Sequence, residues 1–156
     1  MKLLQGRDTW VIRAMTHEDL DQVHAIESRT HIEPWSRGIM GDCIDVGYSC
    51  LVLVESTKIC AYAIVRVAAG EAHILNICVA PERQAQGMGR YLLTQIMTLA
   101  KQRYVERIIL EVRKTNAAAI RLYEEQGFKM TGERKDYYAI PKTGEREDAL
   151  MYSLEF

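Results

Sequence analysis

Apolar and polar positions change rhythm several times along the chain. Trp10 to Met15 is a short apolar stretch that ends at Thr16. In the following THEDLDQVHAIESRTH, Leu20, Val23 and Ile26, with His24 beside them, recur at helical spacing. Thr16, with Asp19 three residues on, has the pattern of a helix start. Pro34 stops that helix, and Ser36 opens a second one through Val46 before Gly47 ends it. YSCLVLVE (Tyr48 to Glu55), KICAYAIVRVA (Lys58 to Ala69 with its last alanine) and AHILNICVA (Ala72 to Ala80) are rich in β-branched and aromatic residues. Ser56-Thr57 and Gly70-Glu71 between them are short enough for hairpins, so three antiparallel strands in a row are expected. Tyr91, Leu92, Ile96, Leu99 and Ala100 then return to helical spacing over Met88 to Arg103. The strand ERIILEV follows, then a helix NAAAIRLYEEQ closed by Gly127, then FKMTGERKDYY and EDALMYSLEF as two final strands joined by the turn Pro141 to Gly144. The order predicts an α+β fold: a single mixed, mainly antiparallel sheet of about seven strands with about four helices.

One connection does more than turn the chain. APERQAQGMGRYLLTQIM, Ala80 to Met97, joins the third strand of the meander to the long amphipathic helix. The first turn of a helix has free N–H donors and a partial positive charge, which suits a phosphate. Gly87 and Gly89 have no Cβ to hold an anion away from the backbone, and Arg90 adds a formal charge in the same turn. Taken alone, the stretch fits a plain turn as well as a phosphate cradle. It lacks the G-K-[ST] of a P-loop and the third glycine of the dinucleotide fingerprint.

Composition narrows the choice. A chain of 156 residues, 48% hydrophobic and 26% charged, fits one globular domain spanning 1–156. Twenty basic against twenty-one acidic residues give a net charge of −1 without a long basic block, so no footprint for direct nucleic acid binding is expected. Cys43, Cys50, Cys60 and Cys78 form no C-x-x-C pair and lie in or beside apolar runs, which points to reduced, partly buried thiols rather than zinc or disulfides. The apolar stretch of MKLLQGRDTWVIRAM is too short for a signal-peptide core, and no later run nears the ~20 residues of a membrane span. A cytoplasmic protein without membrane association is expected. His17, His24, His31 and His73 show no ligand spacing, neither G-x-S-x-G nor H-E-x-x-H occurs, and nothing calls for a metal.

The string Q-x-x-G-x-G, here Gln84, Gly87 and Gly89, stands after LNICVAPERQ and before LEV and NAAAIRLYEEQGF. In this setting it resembles the acetyl-CoA site of the GNAT acetyltransferase superfamily, and the likeness spans nearly the whole chain. Three further stretches, HIEPWS, LEVRKTNAAAIRLYEEQGF and KDYY with GEREDALMYSLEF, resemble the RimI group of ribosomal-protein N-terminal alanine acetyltransferases more narrowly. The resemblance implies acetyl-CoA as co-substrate, with no metal, and the N-terminus of a small-subunit ribosomal protein as acceptor. It implies that backbone groups around Ile77, Cys78 and Val79 meet the pantetheine and acetyl parts. Backbone amides of Ala85, Gln86, Gly87, Met88, Gly89 and Arg90 meet the pyrophosphate, and Asn116 bonds the cofactor. Glu111 corresponds to the general base, Tyr123 to the general acid, and Trp35, Tyr137 and Tyr138 lie on segments flanking the acceptor peptide. Cys78 departs from the small alanine often found there, at a position the family uses through its backbone.

These roles agree with elementary chemistry. An α-amine of pKa near 8 is roughly a tenth neutral at pH 7, against about one lysine in 2,500, so an N-terminal amine demands less of a base. Glu111 in IILEVR alternates with Leu110 and Val112, and a carboxylate in an apolar strand calls for a reason: a general base, or a salt bridge to Arg113. Tyr123 follows Asn116 by seven residues, two helical turns, and a phenol keeps its proton at pH 7 for a departing thiolate; packing with Leu122 and Phe128 is the competing role. Glu145, Glu147 and Asp148 read as a solvated acidic turn or as a counter-charge for a basic peptide. Two alternatives remain: transfer to a small amine or lysine on the same fold, and a non-catalytic CoA-binding module.

Overall fold

The computed structural model describes residues 9–156; residues 1–8, which carry part of the apolar N-terminal stretch, lie outside the described residues. It contains seven strands, β1 (Trp10–Ala14), β2 (Ser49–Glu55), β3 (Lys58–Ala68), β4 (Glu71–Val79), β5 (Arg107–Arg113), β6 (Lys129–Ala139) and β7 (Arg146–Glu155). Four α-helices accompany them, α1 (Leu20–Thr30), α2 (Arg37–Asp45), α3 (Met88–Gln102) and α4 (Ala117–Glu125). All seven strands join one sheet in the order β1-β2-β3-β4-β5-β7-β6. The described chain gathers into two compact units, one running to Ile64 with Asn76–Leu92, the other made of Val65–Leu75 and Leu93–Phe156.

In the first unit β1 runs antiparallel to β2, with Trp10 opposite Glu55 and Ala14 opposite Leu51. The turn into α1 is fixed by charge: Arg13 forks onto Asp19 at 2.7 and 2.9 Å, and the Thr16 N–H donates to the same carboxylate at 2.8 Å. A single short helical turn, His17–Asp19, lies between Thr16 and α1. The buried stripe of α1 is Leu20, Val23, Ile26 and Glu27. Glu27, seven residues from Leu20, takes the place on that stripe that the pattern offered to His24, which is half-buried. Ser36 caps α2 by accepting the Ile39 N–H at 3.1 Å, and Gly47 follows the helix at φ +89°, a conformation that costs a Cβ-bearing residue energy. Tyr62, Leu20, Met40, Leu53 and Ile64 form the heart of this unit's core.

The second unit is built on β5. Ile108, Leu110 and Val112 are buried on one face, while Arg107, Ile109, Glu111 and Arg113 alternate onto the other. β4 runs parallel to β5 from Glu71 opposite Arg107 to Ile74 opposite Leu110. β7 flanks β5 antiparallel, and β6 pairs with β7 through two slips in register, one of them between Arg134 and Tyr138. The expected Gly70-Glu71 connection is one residue earlier: Ala69 and Gly70 make the turn at φ +52° and +80°, and Glu71 already belongs to β4. Gly127 at φ +97° ends α4 as expected, while Asn116, read as part of the helix, stands just before it as its N-cap. All four cysteines are free and buried. Among the described residues no helix is long and apolar enough to cross a membrane.

Arg13 and the Thr16 amide hold the Asp19 carboxyl below its ordinary value, chiefly through the Arg13 hydrogen bonds. A depressed folded-state pKa adds stability that is complete above the unfolded value, about 3.9, and is lost as pH falls through the folded value. Urea melts of Asp19→Asn are expected to show lower stability at pH 7, with the difference from the parent protein shrinking below about pH 4.

Candidate active site

Glycine and alanine shape the loop that opens α3 in the first unit. β4 leads through a short helical turn at Pro81–Arg83 into Gln84, at φ −71°. Ala85 and Gly87 then adopt φ +63° and +89°, with Gln86 between them outside the left-handed region. Such alternation turns successive N–H groups toward one side and makes a concavity suited to an anion. The amides of α3's first turn, Met88 onward, add donors that lack acceptors within the helix. A left-handed alanine costs about 1–2 kcal/mol, strain of the kind that accumulates where backbone geometry serves a ligand. The donor set therefore fits a diphosphate. Side chains hold the loop: Gln84 Nε2 donates to the Val79 carbonyl at 3.1 Å, Arg83 Nε to Gln86 Oε1 at 3.2 Å, and Arg83 Nη2 to Glu55 at 2.5 Å.

The strand before the loop, β4, pairs parallel with β5 over Glu71 to Ile74 and continues to Val79, so Ile77, Cys78 and Val79 form its last residues before the loop. The Cys78 side chain is buried, with Sγ 2.9 Å from Thr30 Oγ1, and burial pushes its thiol pKa up. A neutral, buried thiol is a poor nucleophile.

Beneath this strand lies a carboxylate that the sequence reading passed over. Glu27 is 1% exposed. It accepts a short hydrogen bond from Tyr62 Oη, one from Asn76 Nδ2 at 2.9 Å and one from the Trp35 N–H at 2.9 Å, and His31 Nε2 lies 3.3 Å away. Trp35, proposed beside the acceptor, is tied through its backbone to the buried charge. Its signal was present in the sequence as an acidic residue on the apolar stripe of α1.

In the second unit Glu111 does not pair with Arg113. Its Oε1 is 3.0 Å from His73 Nε2 and its Oε2 is 3.4 Å from Arg134 Nε. Arg113 instead reaches Glu147 at 3.1 Å and stacks its guanidinium 4.5 Å from the Tyr138 ring centroid. Tyr137 and Tyr138 meet edge to face at 5.0 Å, and Arg134 lies over Tyr137 at 5.4 Å, so one arginine touches both Glu111 and an aromatic of β6. Burial, followed by the charge of Glu111, pushes the Tyr138 pKa up to about 12. Glu147 also accepts from the amide and hydroxyl of Thr115, and Asp148 accepts from the Asp136 N–H at 2.9 Å and faces Lys135 at 3.4 Å. Both acids are committed within the chain, which favours neither reading of an acidic turn. Asn116 spends its Oδ1 on the Ala119 N–H at 3.2 Å. Tyr123 is buried and packs at 5.8 Å from the Phe128 ring.

The loop, the end of β4 and Trp35 thus belong to the first unit, and Glu111, Asn116, Tyr123, Tyr137 and Tyr138 to the second. The acetyltransferase (GNAT) family profile matches residues 14–128 of this seven-stranded, four-helix chain, which makes it an acyltransferase of the acetyl-CoA-dependent kind. The chain belongs to that family, within its RimI group, as an N-acetyltransferase. It is 39% identical over 143 residues to the [ribosomal protein bS18]-alanine N-acetyltransferase of Escherichia coli strain K12, covering 92% of this chain and 95% of that one. It is 34% identical to the corresponding Haemophilus ducreyi enzyme, over 92% of this chain and 99% of that one. The crystal structure of the ribosomal-protein-S18-alanine N-acetyltransferase from Escherichia coli superposes with a TM-score of 0.86 at 38% identity, covering 94% and 93% of the two chains.

Removing the buried carboxylate leaves the Tyr62 hydroxyl, the Asn76 amide and the Trp35 N–H without an acceptor, each worth about 1–3 kcal/mol. Glu27→Ala is expected to lower unfolding free energy by about 3 kcal/mol or more, measured by urea denaturation.

Proposed function

We propose that this chain, acting as one acetyltransferase domain over 1–156, transfers acetyl from acetyl-CoA to the α-amine of a protein that begins with alanine, the ribosomal protein bS18. The observation that carries this reading is 39% identity along nearly the full length of an enzyme named for that acceptor. Ala85, Gln86, Gly87, Met88, Gly89 and Arg90 would hold the pyrophosphate through their amides, with Ile77, Cys78 and Val79 offering strand backbone and Asn116 a side-chain amide. Acetyl-CoA supplies the activated acyl group. Glu111 takes a proton from the acceptor ammonium, directly or through water, which frees the nitrogen lone pair for attack. Tyr123 gives its phenolic proton to the sulfur as the thiolate departs. Trp35, Tyr137 and Tyr138 hold the extended peptide by contact rather than charge, raising the amine's effective concentration. The carboxylate position of Glu111 supports the base role: it is partly buried, it alternates onto the face opposite Leu110 and Val112, and a histidine is in contact with it.

The discriminating assay couples thiol release from acetyl-CoA to mass spectrometry of two peptides, one with a free N-terminal alanine and one N-blocked with an internal lysine. Acetylation confined to the free alanine is expected, with kcat/KM rising toward about pH 8 as the amine loses its proton. Transfer to lysine alone would overturn the acceptor assignment. Glu111→Gln and Tyr123→Phe are each expected to lower kcat by about a hundredfold or more while acetyl-CoA still binds.

A further inference from the structure

His73 lacks any motif, yet it sits at the centre of a short polar row. It lies on β4 opposite Ile109 of β5, and its side chain reaches along the sheet face that carries Glu111. Nε2 is 3.0 Å from Glu111 Oε1, and Nδ1 is 3.2 Å from Arg66 Nη2 on β3. The charged groups around the ring are Arg66 from β3, Glu111 from β5 and, across Glu111, Arg134 from β6. A guanidinium has donors only. It can meet Nδ1 only when that nitrogen offers a lone pair, so the imidazole proton must sit on Nε2 and point at Glu111. Protonating Nδ1 as well would set an N–H against a guanidinium. Ring and carboxylate are largely shielded, at 18% and 16% side-chain exposure, while Arg66 approaches Nδ1 from the exposed side.

We propose that His73 is a positioning residue for the general base: held by Arg66 as the neutral Nε2–H tautomer, it donates to Glu111 Oε1 and turns Oε2, which faces the exposed Arg134 guanidinium at 3.4 Å, toward the substrate proton once that arginine gives way to the acceptor ammonium. The inference rests on the reading of Glu111 as base. In the step itself the ammonium N–H bond breaks, its electron pair stays on nitrogen, and the new O–H bond forms at Oε2. His73 neither gains nor loses a proton. Its contribution is to spare Glu111 the rotamer search and to keep its second oxygen engaged.

Four variants and one spectrum test this with acetyl-CoA and the alanine-terminated peptide. His73→Leu is expected to lower kcat by about tenfold to a hundredfold with KM for acetyl-CoA unchanged, whereas His73→Gln, whose terminal NH2 replaces the Nε2 donor, recovers most of kcat. Added to Glu111→Gln, His73→Leu is expected to cost nothing more, because its effect passes through the carboxylate. The pH profile of His73→Gln should keep the acid limb of the parent enzyme. An equally inactive leucine and glutamine pair, a fully active His73→Leu, or a displaced acid limb each overturns the proposal. If Glu111→Gln turns over normally, the base reading itself falls; if Glu111→Gln is inactive and His73→Leu is not, the base reading stands and the His73 role alone falls. Nitrogen-15 spectra of histidine-labelled parent enzyme give an answer independent of any variant's folding: protonated Nε2 with bare Nδ1 is expected, and the opposite tautomer overturns the assignment.

Discussion

A carboxylate with almost no solvent must have its lone pairs answered by protein, and Glu27 imposes that demand on three separate segments of the first unit. Tyr62 answers from β3, Asn76 from β4 and the Trp35 amide from the link between α1 and α2, while His31 Nε2, just past the end of α1, lies 3.3 Å away without a hydrogen bond. Each partner fixes something with a use. Asn76 stands one residue before Ile77 at the end of β4, and Trp35 stands on the segment proposed for the acceptor. An apolar residue in place of Glu27 would fill the same volume and release all of them, since hydrophobic contact is tolerant of sliding and a hydrogen-bonded carboxylate is not.

The second unit obeys a different constraint, the parity of strands. Side chains alternate, so the choice of pairing decides which residues share a face. With His73 opposite Ile109 and Glu111 two residues further on, the histidine and the acid fall on the same side of the sheet. The slips in β6 adjust that parity locally, bringing Arg134 onto Glu111 while adjacent Tyr137 and Tyr138 contact each other and two different arginines.

Much of this was legible in the sequence, and the limits have physical causes. Element order, the helix start at Ser36, the stop at Gly127 and the glycine loop followed from local chemistry, which short stretches encode. Glu27 is hidden in the sequence because a polar residue on an apolar stripe breaks the very pattern by which helical spacing marks the stripe. His73 was set aside because its partners, Arg66 and Glu111, are 7 and 38 residues away, and no local rule predicts a parallel register. Arg113, the candidate for a salt bridge to Glu111, lies two residues along the same strand and shares its face, but cross-strand neighbours take both residues instead.

The cysteines bear on how the enzyme is handled. None is exposed, all four are reduced, and burial holds the Cys43, Cys50 and Cys78 thiols protonated beyond the usual range, Cys50 up to about 11. In the folded molecule those three thiols therefore present almost no thiolate to a disulfide reagent, and Cys60 is shut away from it by burial. Colour developed by such a reagent in the presence of acetyl-CoA counts released coenzyme, while a slow background from the protein alone counts molecules that have opened, so one cuvette reports both turnover and unfolding.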